Sequence, residues 1–310
     1  MSPLRKDLKD YLALRRSLGF KLHLAGTALR HFVDFLEQER SSHITTALAL
    51  RWAKQPQDVH PAQWGKRLGF VRGFARYRSA TDSRTEVPPL GLLPLRRPRR
   101  TPYLYSDDEV QRLLEAAQTL SSRVGLWPWT CFTIWGLLSV AGLRICEAIG
   151  LQRNDVDVSQ GLLRIRQAKF GKERFVPLHP STARVLQRYA RRRDDVHPCP
   201  THAAFFLSDR GCSLTYSVVR RTFPRLSRRI GLRGPVASTG PRLHDLRHRF
   251  AVRTILDWYR SGVDAERRLP VLSTFLGHGQ VSDTYWYLTA VPELLALTAA
   301  RLEKRWEAYR

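Results

Sequence analysis

The chain has 310 residues, with 52 Lys and Arg against 27 Asp and Glu, a formal net charge of +25 and a sequence pI near 11.0. The length suits two domains, and 43% hydrophobic content supplies packed cores, so a wholly disordered basic chain is excluded. A cationic surplus of this size calls for a polyanion, nucleic acid first. Four cysteines without paired spacing (Cys131, Cys146, Cys199 and Cys212) offer no readable zinc site or disulfide framework.

The opening Met-Ser-Pro-Leu-Arg-Lys-Asp has no apolar signal core, so reduced thiols in a cytoplasmic protein are expected. From there to about residue 85 the chain reads as helical. Leu29, Phe32, Val33 and Leu36 follow the i, i+3, i+4, i+7 rule, with Thr27 as the expected cap. Between Trp64 and Tyr77 a second stripe comprises Trp64, Leu68, Val71 and Ala75. The other side of that segment carries Lys66, Arg67, Arg72, Arg76 and Arg78. Such a basic face is either solvated surface or a contact for DNA phosphates, and both readings stand.

Residues 83–102 include Pro88, Pro89, Pro94, Pro98 and Pro102 and the run Arg96-Arg97-Pro98-Arg99-Arg100. Proline at this density opposes helix and sheet interiors. The chain is therefore divided into a helical domain over residues 1–85, a Pro/Arg-rich linker over 86–102 and a second domain over 103–310. Arg96, Arg97, Arg99 and Arg100 suit a strap across phosphates, where each neutralised phosphate releases counterions; a soluble tether is the competing reading.

The second domain opens with Ser106-Asp107-Asp108-Glu109, a capping-box pattern, followed by Val110, Leu113, Leu114 and Ala117 at helical spacing. Residues Leu126 to Leu143 approach membrane-span length. Pro128, Thr130, Thr133, Gly136, Ser139 and Gly142 interrupt the run and Arg144 closes it, so a buried core helix and no membrane association are expected. Leu162, Leu163 and Ile165 mark one strand and Phe175, Val176 and Leu178 another, with Gly171 in the turn. Helices resume near Ser181. The expected fold is mainly α: an N-terminal helical domain, then a mixed α/β domain that is mostly helical with a small antiparallel three-stranded sheet.

Three separated segments carry chemistry. In residues 141–151, Arg144 follows a long apolar helix and a helix-breaking Gly142, which holds its guanidinium at the edge of a core. That planar fork suits two phosphate oxygens, and Glu147 three residues on is placed to orient it; a plain Arg–Glu helix pair reads the same way. In residues 243–251, His244 and Arg247 are helix-face neighbours beside an apolar stripe of Leu243, Leu246 and Phe250. An imidazole beside a guanidinium can handle a proton while the arginine holds a phosphate. His248 is a rival for the histidine role, and a His pair at i, i+4 admits a metal reading for which no third ligand is placed. In residues 275–288, Gly277 ends a helix and exposes His278, and Tyr285 and Tyr287 follow. A phenol with an ordinary pKa near 10 becomes a nucleophile only when its proton is removed and its charge stabilised, which adjoining histidines and arginines can do.

The order Arg, hairpin Lys, His-x-x-Arg, Leu-Gly-His, Tyr resembles the tyrosine recombinase (phage integrase) family from about Ser106 to Thr289, in the compact layout of Xer-like and transposon-borne members. The resemblance implies that Arg144 and Arg247 clamp the scissile phosphate, that His244 accepts the tyrosine proton and that His278 bonds the phosphate. It implies Lys169 as the group that protonates the departing 5′ oxygen, with Lys172 in the same turn and Phe170 in place of the family's common glycine. It selects Tyr287 over Tyr285 as nucleophile, by distance from His278. The implied reaction is site-specific cutting and rejoining of DNA through a 3′-phosphotyrosine, with neither metal nor nucleotide cofactor. No Gly-x-x-x-x-Gly-Lys loop is present. The implied partners are double-stranded DNA with a specific core site, three further protomers in a tetramer on two duplexes, and accessory recombinases or directionality factors, at the bacterial nucleoid. A type IB topoisomerase-like enzyme, a non-catalytic DNA-binding regulator and a metal-dependent nuclease are the competing classes. The stretch Trp258 to Pro270 is longer than the family's usual connection and reads as a loop or a helix extension. In the final stretch Leu295, Ala299, Leu302 and Trp306 share a helical stripe that either packs on its own domain or docks on a neighbouring protomer.

Overall fold

The computed structural model describes residues 2–95, 101–166, 173–199, 202–236, 240–289 and 292–307. The chain divides into two compact units, Met1–Arg100 and Thr101–Arg310. Among the described residues there are thirteen α-helices and one three-stranded antiparallel sheet, the mostly helical class expected.

The first unit is built from α1 (Pro3–Ser17), α2 (His23–Gln38), α3 (Thr46–Lys54) and α4 (Pro61–Arg78). Leu8, Leu29, Phe32, Leu36, Trp52, Leu68, Val71 and Phe74 form its core, so the expected stripes of α2 and α4 face inward. Two expectations fail here. Thr27 is not a cap: α2 starts four residues earlier, and the Thr27 hydroxyl donates to His23 O inside the helix. Arg78 does not belong to an exposed basic face. Its spacing from Val71 and Ala75 continues the buried stripe, so it lies buried at 4% exposure, ion-paired with Asp7 and Asp82 and donating to Ser42 O.

The rest of that face divides. Lys66 and Arg76 are exposed. Arg67 stacks over the Trp52 ring at 3.8 Å and donates to Trp52 O, and Arg72 donates to Pro88 O and Pro89 O. The physical cause is local: a proline-rich stretch cannot satisfy its carbonyls in a helix or ladder, and a long guanidinium can reach them. Val87 and Leu93 also pack on this core, so residues up to Leu95 lie against the first unit. Arg96, Arg97, Arg99 and Arg100 lie outside the described residues.

The second unit begins with α5 (Asp107–Gln118), whose capping box is formed by Ser106 and Glu109. Helix α6 (Trp127–Ala141) is buried along most of its length, as expected, with Thr130 satisfied by Leu126 O, Leu207 O and the Tyr189 hydroxyl. Among the described residues no helix is long and apolar enough to cross a membrane. After the short α7 (Ile145–Ile149) come β1 (Val156–Asp157), β2 (Leu162–Ile165) and β3 (Arg174–Pro177), in the order β1-β2-β3, with Leu163 opposite Val176. Leu163, Ile165 and Val176 point into the core; the predicted turn at Gly171 lies outside the described residues.

Helices α8 (Pro180–Val196) and α9 (Tyr216–Arg229) complete the larger core. Then α10 (Leu243–Arg260), α11 (Ala265–Leu276) and α12 (Ser282–Thr289) pack around Val252, Ile255, Leu269, Leu272 and Leu276. The long connection resolves into the end of α10, a turn, and the start of α11, capped by the Asp264 side chain. In α13 (Pro292–Glu307) the buried face is Leu294, with Leu297 beside it, rather than the predicted stripe. Leu295 is 53% and Trp306 68% exposed, and the Leu302 side chain lies outside the described residues.

Candidate active site

Helix terminations place the key side chains. Gly142 stops α6 at φ 57, a left-handed conformation that only glycine adopts cheaply, and a Cβ there would come within 2.5 Å of Phe250. The chain then turns so that Arg144 heads α7. Its backbone N–H donates to Glu147 Oε2 (2.9 Å), its Nη1 to Glu147 Oε1 (2.8 Å) and its Nη2 to Gly277 O (2.9 Å).

Arg247 enters from α10 at 1% exposure, donating from Nη1 to Gly142 O (2.7 Å) and from Nη2 to Leu276 O (2.8 Å). Both acceptors lie at helix C-termini, where unpaired carbonyls carry partial negative charge. Gly277 closes α11 at φ 68, and His278 follows with its Nδ1 2.7 Å from Thr284 Oγ1. Tyr287 projects from α12 into the same place at 2% exposure. Its ring centroid lies 5.5 Å from that of His248 and 6.0 Å from that of His278. The His244 and His248 rings meet edge-on at 4.6 Å.

The structure thus gathers Arg144 and Glu147 at the head of α7, His244 and Arg247 on α10, His278 just past α11 and Tyr287 on α12. Lys169 and its rival Lys172 lie outside the described residues. Tyr285 is 50% exposed. Among the described residues no three His, Cys, Asp or Glu groups converge on a metal position. The cluster also contains Arg174, to which the sequence reading assigned no role. Its place at the end of Lys-Phe-Gly-Lys-Glu-Arg, just before a strand with core residues, was the sign that the sequence offered. The sequence reading expected helix here but did not name the basic face of α9, which carries exposed Arg220, Arg221, Arg225, Arg228 and Arg229 opposite Val219, Phe223 and Leu226.

Electrostatically this is a site prepared for an anion. Burial pushes the Tyr287 phenol up, while Arg247, by charge and hydrogen bonding, and Arg144, by charge, draw it back. Burial and the neighbouring Arg144 bring Arg247 down to about 10. Burial, then Arg247, holds His244 at about 4 and His278 at about 4; burial and His244 hold His248 at about 3. His244 is exposed at the edge of the site and His248 is buried beside it, so solvent screens charge on His244 more than on His248.

All three imidazoles are therefore neutral at pH 7, able to accept a proton. The native state refuses protons that the unfolded chain takes up below its ordinary histidine value of 6.5. Where the unfolded state binds more protons, stability rises with pH. Unfolding free energy is expected to fall as pH drops from about 6.5 toward about 3, the His248 value. Urea titrations across that range should show a shallower dependence for His248→Gln; an unchanged slope would remove His248 from this account.

The Phage integrase family model matches residues 104–293, more than half of the chain. The chain belongs to the phage integrase family. It is 50% identical to the integrase/recombinase y4rB of Sinorhizobium fredii (strain NBRC 101917 / NGR234), over 99% of each chain. It is 30% identical to the tyrosine recombinase XerC of Chlamydia caviae over 72% of this chain and 65% of that one. Its fold is similar to that of the Tn1549 transposon integrase in complex with transposon right end DNA, with a TM-score of 0.68 and 16% identity, covering 96% of this chain and 98% of that one. The family resemblance drawn from motif order therefore holds, and this phage integrase family member falls in a class of enzymes that cut and rejoin DNA.

Proposed function

We propose that this chain cuts and rejoins double-stranded DNA at a specific core site through a covalent bond between Tyr287 and a 3′ phosphate. The observation that carries the reading is the convergence of a buried phenol with two arginines and three histidines. In the proposed step the Tyr287 oxygen attacks the scissile phosphorus and the bond to the 5′ oxygen breaks. The phenolic proton passes to His244. Arg144 and Arg247 meet the charge that builds on the non-bridging oxygens, the kind of preorganised stabilisation that dominates many enzymes. His278, with Nδ1 engaged by Thr284, has Nε2 for the phosphate. The family resemblance supplies Lys169 as the donor to the departing 5′ oxygen. A 5′ hydroxyl of a partner duplex then reverses the step, so bond energy is conserved without nucleotide hydrolysis.

DNA is held by phosphate contacts from the exposed cations Lys66 and Arg76 and the arginine face of α9, and from the linker arginines Arg96, Arg97, Arg99 and Arg100 that the sequence reading supplies. Arg67 and Arg72, engaged within the first unit, contribute less. The outward Leu295 and Trp306 of α13 favour docking on a second protomer within a tetramer on two duplexes, in the cytoplasm at the nucleoid. Trp306→Ala is expected to weaken cooperative assembly on paired sites by about 1 kcal/mol or more, as loss of an interface aromatic does, while leaving monomer unfolding unchanged. Gel-shift cooperativity set beside thermal melts checks this, and equal cooperativity would return the helix to a packing role.

The test of the function is a nicked DNA substrate that traps the covalent intermediate in the presence of a chelator. A 3′-phosphate adduct with strand transfer to a second duplex is expected. Plasmid relaxation without strand exchange would indicate topoisomerase action, and DNA binding with no adduct would indicate a regulator.

A further inference from the structure

Phe275, Leu276 and Gly277 close α11, where backbone carbonyls lack partners further along the helix. Each of the three accepts from a different arginine: Phe275 O from Arg174 Nε (2.8 Å), Leu276 O from Arg247 Nη2 (2.8 Å) and Gly277 O from Arg144 Nη2 (2.9 Å). The partial negative charge at a helix C-terminus suits such cations. Two of these arginines belong to the proposed phosphate clamp. Arg174, from the first residue of β3, does not.

The remaining Arg174 nitrogens bracket Glu147, Nη1 to Oε1 at 3.1 Å and Nη2 to Oε2 at 2.8 Å. The same two carboxylate oxygens accept from Arg144, through its Nη1 and its backbone N–H. Burial would raise the Glu147 carboxyl, but its bonds to Arg174 and Arg144 overcome this and hold it below its ordinary value. Gly277 makes room: a Cβ there would lie 2.5 Å from Arg174 Nη1. The Arg174 side chain is 9% exposed with Nε, Nη1 and Nη2 all engaged, whereas Arg144 keeps 27% exposure. Arg144 keeps surface with which to meet a ligand, while Arg174 commits all three guanidinium nitrogens to Phe275 O and Glu147 and so acts through the partners it shares with Arg144.

We propose that Arg174 is a positioning residue for Arg144: by gripping Glu147 and the end of α11 together, it sets the direction of the Arg144 guanidinium toward the scissile phosphate. The inference rests on the function proposed above for Tyr287 and Arg144.

The test is single-turnover adduct formation on nicked DNA with either an ordinary scissile phosphate or a methylphosphonate, in which a methyl replaces one non-bridging oxygen and the negative charge is gone. On ordinary phosphate, Arg174→Gln is expected to slow cleavage about a hundredfold, the cost of a misplaced catalytic group, with DNA affinity unchanged. On methylphosphonate, where less charge awaits stabilisation, the deficits of Arg174→Gln and Arg144→Gln should contract together, to within about tenfold of wild type. Arg174→Lys keeps the charge but lacks the planar fork and should stay impaired in the same pattern. Should Arg174→Gln not fold, Arg174→Lys and Glu147→Gln break the same link and carry the comparison. A general structural role lowers both substrates equally; that result, or a wild-type rate for the variants, overturns the proposal. Wild-type protein that forms no adduct, or Tyr287→Phe that still forms one, would instead sink the underlying function.

Discussion

Tyr287→Phe is expected to abolish the covalent protein–DNA adduct on nicked substrate, while Tyr285→Phe retains it. Two residues along an α-helix turn the side chain by roughly 200°, so these tyrosines face opposite ways. Tyr287 is 2% exposed among His248, His278 and Trp286, and Tyr285 is 50% exposed. Phenylalanine keeps the Tyr287 ring packing and removes only the oxygen, so the variant should fold and bind DNA normally. Burial favours the neutral phenol, so the proton stays on Tyr287 until a base takes it. Adducts are scored by gel mobility and by mapping the attached residue. Retention by Tyr287→Phe with loss by Tyr285→Phe would reassign the nucleophile.

Arg247→Gln is expected to damage both chemistry and stability. Loss of one preorganised donor to a transition-state oxyanion costs about 10²–10³ in rate. The same guanidinium bridges Gly142 O and Leu276 O, joining the ends of α6 and α11, at 1% exposure. A glutamine cannot span both carbonyls, so one buried acceptor is left unpaired at a cost of about 1–3 kcal/mol. Arg247→Lys should lose nearly as much, because an ammonium lacks the two-pronged geometry. Single-turnover cleavage and urea unfolding of the same preparations measure the two effects. Cleavage at the wild-type rate by either variant would remove Arg247 from the phosphate clamp.

Much of this architecture is legible in the sequence because its cause is local. The spacing of Leu29, Phe32, Val33 and Leu36 marks a buried helical face whatever lies opposite, and Ser106 with Glu109 satisfies donors three residues apart. Motif order reveals the family because Arg144, His244, Arg247, His278 and Tyr287 each stand in a recognisable short segment.

What tertiary structure alone decided concerns partners distant in the chain. Arg174 meets Glu147 27 residues away and Phe275 101 residues away, and no spacing rule links them. Arg67, Arg72 and Arg78 look alike in a basic run, yet an indole, two proline carbonyls and two aspartates separate them from exposed Lys66 and Arg76. On α13, periodicity alone could not tell which stripe would be covered, and packing chose Leu294 over Leu295. Periodicity reports which residues share a face; only the folded chain supplies the carbonyl or carboxylate that decides whether a guanidinium is a brace, a clamp or a free cation.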